Sequence, residues 1–344
     1  MSRVEILQKK LNDNEGFYIS SYANIYYFSG FTSEDARLII TPNDCILMTD
    51  SRYTVQAKNQ AKGFDIHDIA DKSIIEKLGI KRLGIEEENL TVKEVGNINK
   101  GDMKVFPAGN VISKQREIKD GEEIAKIRAA EKLGDEAFSH VLNFIKPGIS
   151  ELDVAFELEF FMRKNGASGL SFDTIAASGI RSAMPHGVAS EKIIEKGDLL
   201  TLDFGCVLDG YCSDMTRTVA VGSIDSKSRE IYETVLAAQK AGLEYIAKGK
   251  ICSGADAAAR KVITEAGYGK NFGHALGHSV GIEIHETPNL SPKCDKVLVP
   301  GNVVTVEPGI YVENFGGVRI EDLVLITDSG IENFTHSEKE LIIV

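Results

Sequence analysis

Apolar positions fall into helical spacing twice along this chain, about a hundred residues apart. From residue 124 onward, Ile124, Ile127, Leu133, Phe138, Val141 and Ile145 recur on one helical face until Pro147-Gly148 stops the pattern, which predicts one long helix. "ELDVAFELEFFMRKNGA" predicts a second. The same order returns with "REIYETVLAAQKAGLEYIAKGK" followed by "SGADAAARKVITEAGYG", and the two long helices share "AAEK" and "AAQK". Each helix pair leads into strand-rich sequence. That order predicts two α+β halves packed as one domain.

The first hundred residues alternate instead. "RLIITPNDCILMTD" predicts two apolar strands around a Pro-Asn-Asp turn. "FDIHDIA", "KRLGIE" and "MKVFPAG" predict further short strands, and "LTVKEVGNINKG" a helix between them. Such alternation indicates an α/β domain of modest size. A boundary is expected near "AGNVISKQREIKDGEE", dividing the chain into residues 1–115 and 116–344.

At 344 residues, with 26% charged and 43% apolar positions, the composition is that of a soluble globular protein. The net charge of -12 argues against a nucleic-acid partner, which calls for a basic face. Five scattered cysteines without a C-x-x-C pair suit free thiols in a reducing compartment. The start "MSRVEILQKKLNDNEG" has no apolar signal core, and no apolar run reaches the ~18 residues of a membrane span. A cytoplasmic protein without a membrane partner is expected.

Two strand-rich stretches carry carboxylates. "LLTLDFGCVLDGYCSDMTRTVAVG" predicts a hairpin turning at Asp209-Gly210, which sets Asp203 opposite Thr216 and Asp214 diagonally beside it on the same face. Two aspartates on one face of an apolar hairpin repel unless a cation lies between them; otherwise each is an edge residue with its own partner in water. "NVVTVEPGIYVENFGGVRIEDLVLI" predicts paired strands turning near Asn314 to Gly317, with Glu307 ending one apolar run and Glu321 interrupting the other. A carboxylate buried alone there costs several kcal/mol. Glu307 and Glu321 therefore reach water or share a cation. Of seven histidines, three (His274, His278 and His285) crowd into "GHALGHSVGIEIHETP". Two Asp, two Glu and one His exceed the needs of a tetrahedral zinc and suit two divalent ions with bridging carboxylates, which is equipment for hydrolysis.

The motifs "MPHG" (184–187), "TLDFGCVLDGYCSDMTRT" (201–218), "GHALGHSVGIEIHETP" (273–288), "VEPGIY" (306–311) and "VRIED" (318–322) stand in the order and internal spacing of the pita-bread metallopeptidases. The chain resembles that family, which includes methionyl aminopeptidase, aminopeptidase P, prolidase and creatinase. The resemblance covers residues 120–344, and the first 110 residues look like the creatinase-type amino-terminal domain. It implies a pita-bread catalytic domain of two pseudo-twofold αβ halves, α+β in class, behind a smaller α/β domain.

The resemblance also implies site roles. Asp203, Asp214, His278, Glu307 and Glu321 match the ligands of two divalent metals, with Asp214 and Glu321 bridging. His186 and His285 match histidines that bind the substrate or its transition state, His285 beside the scissile carbonyl. Glu307 would also shuttle a proton to the departing proline nitrogen. His274 and Arg319 match further pocket or supporting positions, and Tyr311 a supporting tyrosine. His67, His140 and His336 match no motif and are expected on the surface; Arg52 of "DSRY" receives no role.

An Xaa-Pro peptidase is the activity implied, acting on short peptides with proline second. A methionyl aminopeptidase would lack the amino-terminal domain. A creatinase, or a non-enzymatic binding scaffold, would have lost ligands that are intact here. Aminopeptidase P is taken over prolidase as the expectation. Oxygen-rich ligation favours manganese, although cobalt or zinc fits the same residues. The resemblance further implies a homodimer.

Overall fold

In this computed structural model, residues 1–71, 73–99 and 101–344 are described. Lys100, inside the segment expected to be helical, lies outside them. The chain divides into two compact units, Met1–Arg116 and Glu117–Val344.

The first unit holds a six-stranded mixed sheet of β1 (Glu15–Ile19), β2 (Ala36–Ile40), β3 (Cys45–Thr49), β4 (Asp65–Asp68), β5 (Arg82–Ile85) and β6 (Lys104–Pro107), in the order β4-β3-β2-β1-β5-β6. The hairpin expected from "RLIITPNDCILMTD" is β2–β3, paired antiparallel from Ala36↔Thr49 to Ile40↔Cys45. The sequence reading missed β1, a central strand. Its residues EGFYI are almost continuously buried, so no alternation marks it. Arg52 is an exposed partner of Asp50, 2.6 Å away.

The second unit repeats one plan twice. Helix Gly121–Val141 starts on an Asp120–Glu123 capping box and is followed by helix Glu151–Lys164. After β7 (Gly169–Leu170) come β8 (Ile175–Ser178), β9 (Leu199–Phe204), β10 (Cys206–Leu208), β11 (Tyr211–Cys212) and β12 (Met215–Ala220). β12, β9 and β8 form one sheet. Helices Ser226–Tyr245 and Cys252–Glu265 precede β13 (Gly277–Ser279), β14 (Glu286–Leu290), β15 (Val303–Val306), β16 (Gly309–Val312), β17 (Gly316–Arg319), β18 (Asp322–Ile326) and β19 (Ile331–Asn333). β14-β13-β15-β18-β19 form the second sheet, and β16–β17 a separate hairpin.

Each helix pair buries its apolar face against its own sheet. Ala137, Phe138 and Leu158 pack with Leu200, Leu202 and Val219; Val235, Ala259 and Ile263 pack with Val304, Val306 and Val324. The two α+β halves are therefore two cores with their sheets turned toward common ground. Among the described residues no helix is long and apolar enough to cross a membrane, and no disulfide forms.

A buried ionic cluster closes the unit. Arg217 on β12 pairs with Asp322 at the start of β18, 2.9 Å away, with both side chains all but inaccessible. Asp322 also accepts from Gln239 and Asn333, and Arg217 donates to the carbonyls of Ser337 and Glu338, drawing the last segment of the chain onto the sheets. Lys339 Nζ also reaches Asp322, at 2.5 Å, so removing Arg217 leaves that carboxylate one cation but strips the Ser337 and Glu338 carbonyls of their donor. Arg217→Met is expected to cost about 1–3 kcal/mol in urea unfolding; a loss under about 0.5 kcal/mol would show that water reaches the cluster.

Candidate metal centre

Four carboxylates arrive at one place, three of them where strands break and the fourth, Asp203, from within a strand. Asp203 lies near the end of β9, opposite Thr216, the pairing expected from the turn. Asp209 (φ 47°) and Gly210 (φ 77°) are both left-handed, as a two-residue hairpin turn requires. The hairpin is not the continuous ladder the sequence suggests, because Asp214 sits in the gap between β11 and β12. Beside that gap a Cβ on Gly205 would stand 2.0 Å from the Ser213 carbonyl oxygen, so only glycine lets the strands cross so closely. Glu307 occupies the gap between β15 and β16, and Glu321 the gap between β17 and β18. These two gaps oppose each other, since Val306 pairs with Asp322 and Gly309 with Arg319.

The electrostatics of this gathering are unfavourable as they stand. Burial first, and then the charges of Glu321, Asp203 and Glu307, raise the Asp214 carboxyl well above its usual range. Burial and then Glu307 and Asp203 do the same to Glu321. Burial pushes Glu307 up to about 8, although its side chain keeps 17% exposure. His278, on β13, is held down to about 4 by burial and by neighbouring His285.

Hydrogen bonding shows what is missing. His278 Nδ1 faces the Ser279 carbonyl at 3.2 Å and must donate to it. Its Nε2 then carries a lone pair toward Asp214 Oδ2 and Glu307 Oε1, 3.5 and 3.4 Å away. Acceptors thus face acceptors whenever these carboxyls are ionised. Asp203 Oδ1 is buried without a hydrogen-bond partner. Atoms of Asp214, His278 and Glu321 lie within 4.8 Å of one another. A hard cation resolves every one of these conflicts, so the residues fit divalent metal.

The remaining candidate residues surround this cluster. The His285 ring lies 4.5 Å from that of His278, edge to face, and is exposed. His186 is exposed as well and near enough to His274 to disfavour its protonation. His274 behaves differently from the other two. Its Nδ1 donates to the Ala275 carbonyl at 2.8 Å, so its Nε2 accepts from the Tyr311 hydroxyl at 2.8 Å. Burial first, then Arg319, lowers it to about 4. Tyr311 in turn accepts from Arg319 Nη1 at 2.7 Å, and burial pushes its phenol up to about 12. Arg319 also donates to Asp203, to Thr216 Oγ1 and to the Pro185 carbonyl, one residue before His186. Both nitrogens of His274 and every arm of Arg319 are thus spent inside the protein, holding Asp203 and the 185–186 segment. His140 and His336 are exposed as expected, whereas His67 is half-buried in β4.

Three supporting residues escaped the sequence reading. Thr216 Oγ1 donates to Glu321 at 2.7 Å, and Thr305 Oγ1 donates to Glu307 at 3.1 Å while accepting from the His278 backbone. Glu131 is fully buried, accepts from the Asp214 backbone at 3.1 Å and from Thr335, and is pushed up to about 8 by burial. A usable signal existed for Glu131, which stands one turn after Ile127 on the apolar face of its helix.

Residues 125–328 match metallopeptidase family M24, and residues 3–118 match the creatinase/prolidase N-terminal domain. The Xaa-Pro dipeptidase of Pyrococcus furiosus is 42% identical over 99% of both chains. The solved Xaa-Pro dipeptidase from Bacillus anthracis superposes with a TM-score of 0.95 at 45% identity over 99% of each chain. The X-Pro aminopeptidase of Thermotoga maritima superposes at 0.93 with 38% identity, covering 98% of this chain and all of that one.

The raised carboxyls have a consequence for stability. Between pH 6.5 and 8 the unfolded chain holds at most about half a proton on each of His274 and His278, fewer than the protons that the folded carboxyls retain and the unfolded chain has released. The native state then binds more protons, so stability falls as pH rises. Below pH 6.5 the buried neutral histidines act in the opposite sense. Chelator-stripped protein is therefore expected to lose thermal stability from pH 6.5 to 8, and metal-loaded protein to keep it. A flat profile in stripped protein would contradict the assignment.

Proposed function

This chain belongs to metallopeptidase family M24, and from that premise we propose that it hydrolyses the peptide bond preceding proline in short peptides, with the Xaa-Pro dipeptide as its preferred substrate. The convergence of Asp203, Asp214, His278, Glu307 and Glu321 supports the reading: Asp214, His278 and Glu321 offer ligand atoms within 4.8 Å of one another, and Asp203 and Glu307 are near enough to raise the neighbouring carboxyls. Relatives called Xaa-Pro dipeptidase favour the dipeptide over the longer substrates of aminopeptidase P. The likeness to the Thermotoga aminopeptidase supports the second reading, in which the pocket stays open beyond proline.

Asp203, Asp214, His278, Glu307 and Glu321 would hold two divalent ions, manganese by the hardness of the oxygen donors, with Asp214 and Glu321 shared between them. Such ions supply Lewis-acid polarisation of the carbonyl and lower the pKa of water. Glu307 is suited to accept a proton on its carboxylate and pass it to the departing proline nitrogen, because it stands in the cluster with 17% of its side chain exposed. That nitrogen departs as an amine only when protonated, and the proton relayed is the one the attacking water gives up. His285, exposed beside His278, is placed to donate to the oxyanion as charge develops. His186 would bind the substrate from the opposite loop, while His274, Tyr311 and Arg319 act by fixing that loop and Asp203. The protein is proposed to work as a cytoplasmic homodimer.

Asp214→Ala is expected to abolish both tight metal binding, read by calorimetry, and turnover. Two metals and normal rates in that variant would make the ligand assignment wrong. The substrate reading is checked by comparing an Xaa-Pro dipeptide with the matching Xaa-Pro-Yaa tripeptide on stripped protein reloaded with manganese. A higher kcat/KM on the dipeptide is expected; preference for the tripeptide selects aminopeptidase P.

A further inference from the structure

Lys119 is a lysine whose side chain has no exposure, a costly state for an ammonium group. It precedes helix Gly121–Val141 and is far in sequence from every ligand. Its Nζ donates to Ser279 Oγ at 3.0 Å and to Glu286 Oε2 at 3.1 Å. Both partners are immediate neighbours of site histidines: Ser279 follows His278, and Glu286 follows His285. The other carboxylate oxygen, Glu286 Oε1, accepts from the backbones of Ile282 and Glu283 at 3.1 and 3.2 Å, closing the 280–286 turn on itself. Gly281 has no Cβ because one there would sit 2.6 Å from that carboxylate. Its carbonyl accepts from the Cys212 backbone at 2.8 Å, two residues before Asp214. Ser279 Oγ donates onward to the Val303 carbonyl at 2.7 Å, on the strand that leads to Glu307.

A buried ion pair adds little net stability over an apolar pair of similar volume. An apolar pair, however, has no donors and cannot hold a serine hydroxyl and a carboxylate in one fixed relation. We propose that Lys119 and Glu286 are positioning residues for the reaction: their buried pair sets the relation of His285 to His278, and so of the oxyanion donor to the metal ligands. Lys119 touches neither metal nor substrate. It acts by fastening the turn that carries His285 to the strand that carries His278, with Gly281 and Val303 extending the same brace to the Asp214 and Glu307 segments. Loosening this brace displaces His285 by a fraction of a residue's width, a scale at which misplacement costs on the order of 10²-fold in rate.

The inference takes its substrate from the Xaa-Pro reading but not its structural content, and the test separates the two. Lys119→Met is expected to lower kcat on an Xaa-Pro dipeptide on the order of 10²-fold with little change in KM, as for an interaction felt in the transition state. Metal stoichiometry by calorimetry should remain that of the wild type. In the same variant, amide hydrogen exchange should accelerate over residues 280–286 and stay unchanged in helix Ser226–Tyr245. Glu286→Gln, which keeps the shape and removes the charge, is expected to reproduce the pattern, and Lys119→Arg to recover most of the rate. Wild-type kcat and exchange in both variants would overturn the proposal, and so would acceleration spread evenly over the whole unit, which marks a purely structural pair. Should the wild type fail to cleave the dipeptide, the substrate reading falls while the exchange pattern still decides the role of Lys119.

Discussion

Mutual repulsion among buried carboxylates is the constraint on which the catalytic unit is built. Asp203, Asp214, Glu307 and Glu321 are brought within each other's fields in a part of the protein where water is scarce. The chain relieves only part of this, through Arg319 on Asp203, while Arg217 is committed to Asp322. The rest of the unit supplies the force that holds them there. Two separate apolar cores, each with its own helix pair, press two sheets toward the strand breaks that present the carboxylates. Stability is spent locally so that the site keeps an affinity for positive charge, a trade common to functional sites.

The supporting polar network divides into three sets of restraints. Thr216 and Thr305 each touch a carboxylate directly and fix where its oxygens point. Arg319, Tyr311 and His274 form a chain whose proton positions are dictated from one end by the Ala275 carbonyl, which leaves the chain no freedom to reverse. Glu131, from the helix behind the first sheet, secures the backbone of Asp214. Both halves therefore contribute ligands and bracing alike, as their similar internal plan allows.

Much of this was legible in the sequence. The Asp209-Gly210 turn fixed the hairpin register to the residue, because only a two-residue left-handed turn joins strands at that separation. Helical periodicity located all four long helices of the catalytic unit. Glu307 and Glu321 stood out as charges in apolar strands. What escaped was carried by long-range geometry. β1 is buried on both faces and shows no period. Whether His274 serves substrate or scaffold depends on a tyrosine 37 residues away. The strand gap at Asp214 depends on a backbone crossing at Gly205 that no local pattern announces.

The placement of the ligands at gaps in distant strands also orders events during synthesis. Asp203 and Asp214 leave the ribosome roughly a hundred residues before Glu321, and domains are made from the amino terminus onward. An emerging chain can form the first half with its helices and sheet, yet that half offers only two of the five proposed ligands. Strong coordination arrives late, after β18 has paired with β15. A chain that has not reached residue 321 therefore lacks part of the acidic cluster, and with it part of the repulsion that the finished arrangement must contain.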